Sequence, residues 1–404
     1  MKYLIIGGSI AAATAVNVIR ANRPHAEIQV IADEAVPFYY RALIPFLLDG
    51  SRTVEDILFT DQPTDDERVQ FRHDRCIGVN PQQGFIGLAS GGTLPYDKLL
   101  LASGSSSLIP DIPGVDSRGV FTLRNMDEAL MVRDYLKGCR TAVVVGGALA
   151  GIKMAEALQR TAVQVSVVEQ LPHILPFIAD TETADRMSRK LHATGLEIYT
   201  DDSAEEILVA DGKAIAVRLS SGKRVGADLV LLMVGVQPNI EFLADSGIDI
   251  DQAVVTDQEM QTSIPNIYAA GDMVQIRDPV LGKDTVSALW GNAVHMGRTA
   301  GFNMSGIKAF VPPLLSSFNS TEIAGLPIIS AGLLHIQSED ERYAVYTEAR
   351  GENYRKLIFE QDRLAGMIFV GNINGAGVYT NMIRNRIPLG NRRDALIREI
   401  TGAI

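Results

Sequence analysis

One unit occurs twice in this chain: an apolar strand, a glycine turn, a helix and a second apolar strand. The first copy runs from YLIIGG (3–8) through AAATAVNVIRANR (11–23) to EIQVIA (27–32). The second runs from TAVVVGG (141–147) through AGIKMAEALQR (150–160) to VQVSVVE (163–169). Further runs of the same kind are DKLLLAS (97–103) and DLVLLMVG (228–235). Near-continuous β-branched runs suit parallel strands covered on both faces. The repeat therefore predicts an α/β protein with two Rossmann-like units, their turns beginning at Gly7 and Gly146. A chain of 404 residues leaves room for a third domain.

Set against the dinucleotide pattern G-x-G-x-x-G/A, the first turn reads Gly7-Gly8-Ser9-Ile10-Ala11-Ala12. Ser9 stands where the middle glycine would let the backbone approach a pyrophosphate. Its hydroxyl can donate to phosphate, and the helix behind it offers free N–H groups. The plainer reading is a tight strand–helix turn with no ligand. The second turn is Gly146-Gly147-Ala148-Leu149-Ala150-Gly151, and the strand after its helix ends at Glu169. An acid there meets a ribose 2′-hydroxyl. The following QLPHILP holds no Arg or Lys to receive a 2′-phosphate, which favours NAD over NADP. The plainer reading of Glu169 is a surface acid at a strand end.

Composition excludes several classes. A net charge of −11 argues against sequence-independent nucleic-acid binding, which needs a basic surface. With 47% hydrophobic and 21% charged residues, the chain has the means to build cores. The two cysteines, Cys76 and Cys139, make no CxxC, metal cluster or disulfide framework. The longest apolar runs, such as LVLLMVGV (229–236), are of strand length and fall short of the ~20 residues of a membrane span. An opening KYLIIGG strand without a signal-peptide pattern predicts a cytoplasmic protein. His173, His295 and His335 stand alone in sequence and read as structural.

Five segments in order carry a family resemblance. They are the first glycine turn, PFYYRALIP (37–45), TLPYDKLLLASG (93–104), VGVQPN (234–239) and TSIPNIYAAGD (262–272). Together they cover about residues 1–310, and the chain resembles the FAD-dependent pyridine nucleotide-disulfide oxidoreductase superfamily. Within it the likeness is to rubredoxin and ferredoxin reductases and to the FAD domain of assimilatory nitrite reductase. Some members are FAD/NAD subunits of iron–sulfur complexes, phenylglyoxylate dehydrogenase among them. The resemblance implies an FAD domain from 1–110 and 235–311, an NAD domain at 111–234 and a C-terminal α+β interface domain at 312–404. It implies an FAD site at Gly7 to Ala12, Arg41, Ala102, Ser103, Gly104, Gly271 and Asp272, with Leu289 and Trp290 opening a helix towards the flavin. Asp33 and Glu34 follow Ala32, where relatives have the acid for the adenosine ribose. The NAD site is implied at Gly146 to Gly151, Glu169 and Gly235.

Two departures from the family sharpen the reading. Disulfide reductases carry a cysteine pair after the Arg segment, and peroxidases and coenzyme-A disulfide reductases keep one. Here the stretch is Tyr40-Arg41-Ala42-Leu43-Ile44-Pro45-Phe46, with none. A Lys expected near the flavin reads Phe46, and a Glu expected near the nicotinamide reads Lys153. Lys153 is therefore the candidate catalytic cation, its plainer reading a solvent-facing lysine. Five arginines between Arg384 and Arg398 make a local basic segment on an acidic protein, where an acidic iron–sulfur partner could dock. The expected function is NAD(H) oxidoreduction through FAD to a one-electron iron–sulfur or rubredoxin-type carrier. Two alternatives stand beside it: the NAD-reducing FAD subunit of a multi-subunit 2-oxoacid oxidoreductase, and a non-catalytic flavoprotein that senses NADH. The C-terminal domain is the expected surface for a homodimer or for iron–sulfur subunits.

Overall fold

The structure, a computed structural model, describes residues 1–336 and 340–401. Both copies of the repeat fold into five-stranded parallel sheets. The first has the strand order Ile267–Ala269, Lys98–Leu101, Lys2–Ile6, Glu27–Ala32, Val69–His73. The second has the order Glu197–Tyr199, Gln164–Val168, Thr141–Val145, Leu229–Leu232, Val120–Thr122. In each, the strand before the glycine turn lies centrally between its two successors. Their registers correspond, Ile6 opposite Ile31 and Leu101 in one, Val145 opposite Val168 and Leu232 in the other.

The duplication extends to single hydrogen bonds. Gly7 N donates to Ile31 O at 2.7 Å and Gly146 N to Val168 O at 2.8 Å. Phe38 N donates to Gly8 O at 2.7 Å and Leu175 N to Gly147 O at 2.8 Å. Phe38 and Leu175 even share a left-handed backbone, with φ of 60° and 58°. That conformation is strained for a side chain of this kind, and both are fully buried, so packing holds them there.

The chain leaves the first unit and returns to it along two adjacent antiparallel strands, Ser105–Ser107 and Val236–Pro238. After the second unit come a long helix, Trp290–Met304, and a five-stranded antiparallel sheet ordered Phe318–Ile323, Leu326–Gly332, Arg363–Val370, Asn353–Glu360, Tyr343–Arg350. A hairpin joins Asn353–Glu360 to Arg363–Val370, with Gln361 at φ 54°. Helices Ala376–Arg384 and Arg392–Thr401 cover this sheet. Ile323, Ile328, Ile368 and Val370 of this C-terminal sheet share a core with Ile152, Ala155 and Leu158 of the second unit. Two small antiparallel sheets, Cys76–Pro95 and Ala204–Gly226, also interrupt the parallel units. Their strands are short and two-faced, unlike the long apolar runs of the parallel sheets.

The glycines on one side of helix Trp290–Met304 are explained by its neighbour. Helix Trp290–Met304 packs across helix Ile10–Asn22, with Gly297 and Gly301 against the backbone of Ala11 and Ala15. A Cβ at Gly297 would stand 2.2 Å from Ala11 O, whereas one at Gly291 would meet nothing within 4 Å. Gly297→Ala should therefore force the helices apart at a cost of about 1–3 kcal/mol. Gly291→Ala should be neutral or stabilising, and thermal melts of the two variants check the contrast.

Candidate functional site

At the carboxyl end of the first sheet lies a cavity of about 810 Å³. One wall is the first glycine turn. Gly7 has φ +115°, and a Cβ there would sit 2.0 Å from Ala102 O, so no other residue fits. Ser9 caps helix Ile10–Asn22 with an extended backbone, yet its side chain makes no cap bond, and the first turn carries no acid. The helix N-terminus is thus left as an electropositive group facing the cavity. Next to it the lining continues with Ala102, Ser103, Gly104 and the serine strand that follows. Gly104, at φ +70°, would present a Cβ to open space, with nothing within 4 Å.

Two arginines organise the polar lining. Arg41 donates through Nε to Ser9 Oγ at 3.3 Å, through Nη1 to Arg124 O at 3.1 Å, and through Nη2 to Glu34. The Tyr39 hydroxyl donates to the other Glu34 oxygen and accepts from Met126 N at 3.0 Å. Burial, and with it the Glu34 carboxylate, pushes the Tyr39 hydroxyl far above the usual phenol range despite Arg41, so it remains a donor. Burial opposes the charge on Arg41, but Tyr39, Glu34 and Asp272 outweigh it and raise its pKa.

Arg124 is the second organiser. Its Nη2 meets Asp272 Oδ2 and Ser105 Oγ, the latter at 2.6 Å, and its Nε donates to Ser105 O at 3.1 Å. Ser105 Oγ donates in turn to Asp272 at 2.9 Å. Asn239 fastens the hinge strands, donating to Ser103 O at 3.0 Å while Ser106 Oγ donates to it at 2.7 Å. The donor set fits an elongated ligand with a central diphosphate: a free helix N-terminus and two guanidinium groups stand among glycine-lined backbone.

The cavity gathers Gly7 to Ala11, Asp33, Glu34, Arg41, Ala102, Ser103, Gly104, Gly271, Asp272 and Trp290. Ala12 is fully buried beneath the turn, and Leu289 is the N-cap of the helix that Trp290 begins, itself off the cavity wall. The second turn, Gly146 to Gly151, lies at the carboxyl end of the second sheet, outside this cavity. There Glu169 is buried and accepts from Gly147 N at 2.7 Å and Leu171 N at 2.9 Å. Gly235, at φ +119°, stands where the hinge strand begins. Lys153, expected beside the redox centre, is not on the cavity wall; its ammonium binds Glu156 and Glu322 O. His173 and His335 do not stand alone. Their rings stack at 6.3 Å between the second unit and the C-terminal sheet, where burial lowers the pKa of His335. Among the described residues no group of His, Cys, Asp or Glu could hold a metal ion, and no helix is long and apolar enough to cross a membrane.

Residues 1–297 match the family described as pyridine nucleotide-disulphide oxidoreductase. The chain belongs to it. Residues 318–387 match the rubredoxin NAD+ reductase C-terminal domain. An NADH oxidase of Methanocaldococcus jannaschii is 32% identical, covering 92% of this chain and 88% of its own. The NADH-dependent phenylglyoxylate dehydrogenase subunit epsilon of Aromatoleum evansii is 30% identical, covering 98% and 94%. A solved NAD-dependent persulfide reductase from A. fulgidus shares the fold at a TM-score of 0.89 and 24% identity, over 97% of this chain and 78% of that one. The chain is thus an NAD(H)-dependent flavin oxidoreductase that uses FAD and NAD(H).

Arg124 was missed in the sequence reading. It lies 148 residues from its partner Asp272 and outside every quoted motif. A local signal was present: it directly precedes the capping box Asn125–Glu128, so it sits at a strand-to-helix turn. Arg124→Ala would leave Asp272 without its cation, at a cost of about 1–3 kcal/mol. The purified variant should therefore bind FAD roughly 5- to 100-fold more weakly, as read by flavin absorbance against protein after dialysis.

Proposed function

We propose that the chain carries electrons between NAD(H) and a one-electron iron–sulfur or rubredoxin-type carrier, through FAD and with no redox-active thiol on the way. The observation that carries this reading is the lining beside Arg41. There Ala42 is exposed to the cavity in the stretch where thiol-dependent relatives keep cysteine. Cys76 also lines the cavity, but it is buried, donates to Gly78 O at 3.5 Å, and has its pKa pushed up to about 11 by burial. Burial also raises the pKa of Cys139, which donates to Tyr135 O and lies off the cavity. Neither is a thiolate near neutral pH.

In this reading the cavity holds FAD. The turn at Gly7 to Ala12 and Arg41 face its diphosphate, Asp33 and Glu34 the adenosine ribose, and Asp272 with Arg124 the ribityl chain. Helix Trp290–Met304 has no acid in its first turn, so its N-terminus brings positive partial charge to the end where Trp290 stands half exposed. The turn at Gly146 to Gly151, Glu169 and Gly235 receive NAD(H). When bound, FAD supplies the ability to take a hydride and to release electrons singly.

The match of 318–387 to the rubredoxin NAD+ reductase C-terminal domain supports a small redox protein as partner. Of the five arginines expected to dock it, Arg386 is paired with Glu360 and Arg393 lies over the Phe359 ring. Arg392 and Arg398 are exposed. Burial, and then Arg384 and Arg298, lower the pKa of His295, so Arg384 stands near Arg298 and His295 on the helix that Trp290 opens. An acidic carrier suits that edge.

NADH-driven reduction of an acidic ferredoxin or rubredoxin tests the proposal. The Cys76→Ser, Cys139→Ser double variant should match the parent chain, and the rate should fall as salt rises. A thiol-free variant that binds FAD yet passes no electrons would refute it. A second reading, the FAD/NAD subunit of a 2-oxoacid oxidoreductase, is favoured by near-full-length similarity to the phenylglyoxylate dehydrogenase subunit. Iron–sulfur subunits co-purifying at fixed stoichiometry would decide for it.

A further inference from the structure

The helix that begins at the second glycine turn, Leu149–Gln159, is held to the C-terminal sheet by two polar contacts, joined by an ion pair within the helix. Lys153 Nζ lies 2.6 Å from Glu156 Oε2, one turn along the same face. The same ammonium donates to Glu322 O at 2.9 Å. The other Glu156 oxygen accepts from Ala324 N at 2.8 Å. Glu322 lies near the end of strand Phe318–Ile323, and Ala324 is the first residue of the tight turn to strand Leu326–Gly332, left-handed at φ 47°. Between them Ile323 is fully buried in the core that also holds Ile152 and Ala155. The lysine and glutamate are each largely shielded, with side-chain exposures of 28% and 12%.

This arrangement differs from an ordinary surface ion pair. Each charged group spends one contact on its partner and another on the backbone of a different domain, so the pair reads the hairpin turn as a unit. Removing either member leaves the other with an unmet backbone group and a partly buried charge. At the far end of the same helix, Arg160 Nε meets Asp49 Oδ2 at 2.5 Å, on the first unit, and the Asp49 side chain is 2% exposed. The helix is therefore tied to both of its neighbouring domains.

We infer that Lys153 and Glu156 are positioning residues, which hold the turn at Gly146 to Gly151 in register with the first unit through the C-terminal hairpin. The inference rests on the proposal that this turn receives NAD(H). Hydride transfer needs the donor and acceptor rings in contact, and a displacement of about 1 Å can cost up to 100-fold in rate. A loosened helix should then still bind NADH while presenting it badly. Lys153 acts in this way through its neighbour and the hairpin.

Rapid mixing of the FAD-loaded protein with NADH, followed by flavin absorbance, tests it. Lys153→Met and Glu156→Ala should each lower the limiting rate at saturating NADH by about 10-fold or more, with the half-saturating concentration changed by less than about threefold. FAD content and reduction by dithionite should be unaltered. Because the two residues act as one device, the double variant should be little slower than either single variant. Glu156→Gln keeps an acceptor for Ala324 N but turns a donor NH2 towards Lys153, and should recover only part of the rate. A normal limiting rate in either single variant overturns the inference. So does a loss with Lys153→Met alone, which would instead make the lysine a direct electrostatic contributor. Glu169→Ala is the separate arm: unchanged half-saturation by NADH there overturns the placement of NAD(H) at this turn, whatever the clamp variants do.

Discussion

The close approach at Gly7 underlies the arrangement of the whole molecule. The central strand of the first sheet ends against the backbone of Ala102, and only a residue with no Cβ and a positive φ can turn there. That contact brings the end of strand Lys98–Leu101 to the start of helix Ile10–Asn22. A helix N-terminus, two strand ends and a serine strand then converge at the switch point of a parallel sheet, where open α/β sheets bind their ligands. Gly146 repeats the device against Met233 O, at the same φ of +115°. Both glycine turns thus come from one solution used twice.

Around the first turn, charge is arranged in matched pairs. Arg41 holds Glu34, and Arg124 holds Asp272. The two arginines are linked by the bond from Arg41 to Arg124 O. Each pair neutralises a carboxylate, which leaves the N-terminus of helix Ile10–Asn22 as the unmatched electropositive group of the lining. The same cavity presents Ala42 and a protonated, buried Cys76. No thiol in that lining is activated for chemistry, since burial raises the pKa of Cys76.

The C-terminal sheet does more than cover a surface. It shares a hydrophobic core with the second unit and adds polar ties at Lys153, Glu156 and Asp180, the last receiving Tyr354 Oη at 2.7 Å and Lys356 Nζ at 3.1 Å. Burial opposes the charge on Asp180, yet hydrogen bonds from Thr183 and Tyr354 together with Lys356 outweigh it and keep its pKa below the usual range. Its contribution to this junction is therefore present at neutral pH and is lost as pH falls through that lowered value.

The sequence by itself determined the two parallel units, their glycine turns, part of the cavity lining and the absence of a cysteine pair beside Arg41. These are local signals: a strand period, a glycine that must be left-handed, a residue type missing from a short segment. Arg124 and Asp272, 148 residues apart, became one ion pair only when the second unit was inserted between two adjacent hinge strands. Lys153 kept its charge but gained a direction that helix periodicity cannot supply, towards a hairpin turn 169 residues away. The stacking of His173 on His335 was decided in the same way. Local backbone chemistry is written within a few residues, whereas the partner of a long charged side chain is set by which surfaces the hydrophobic cores bring together.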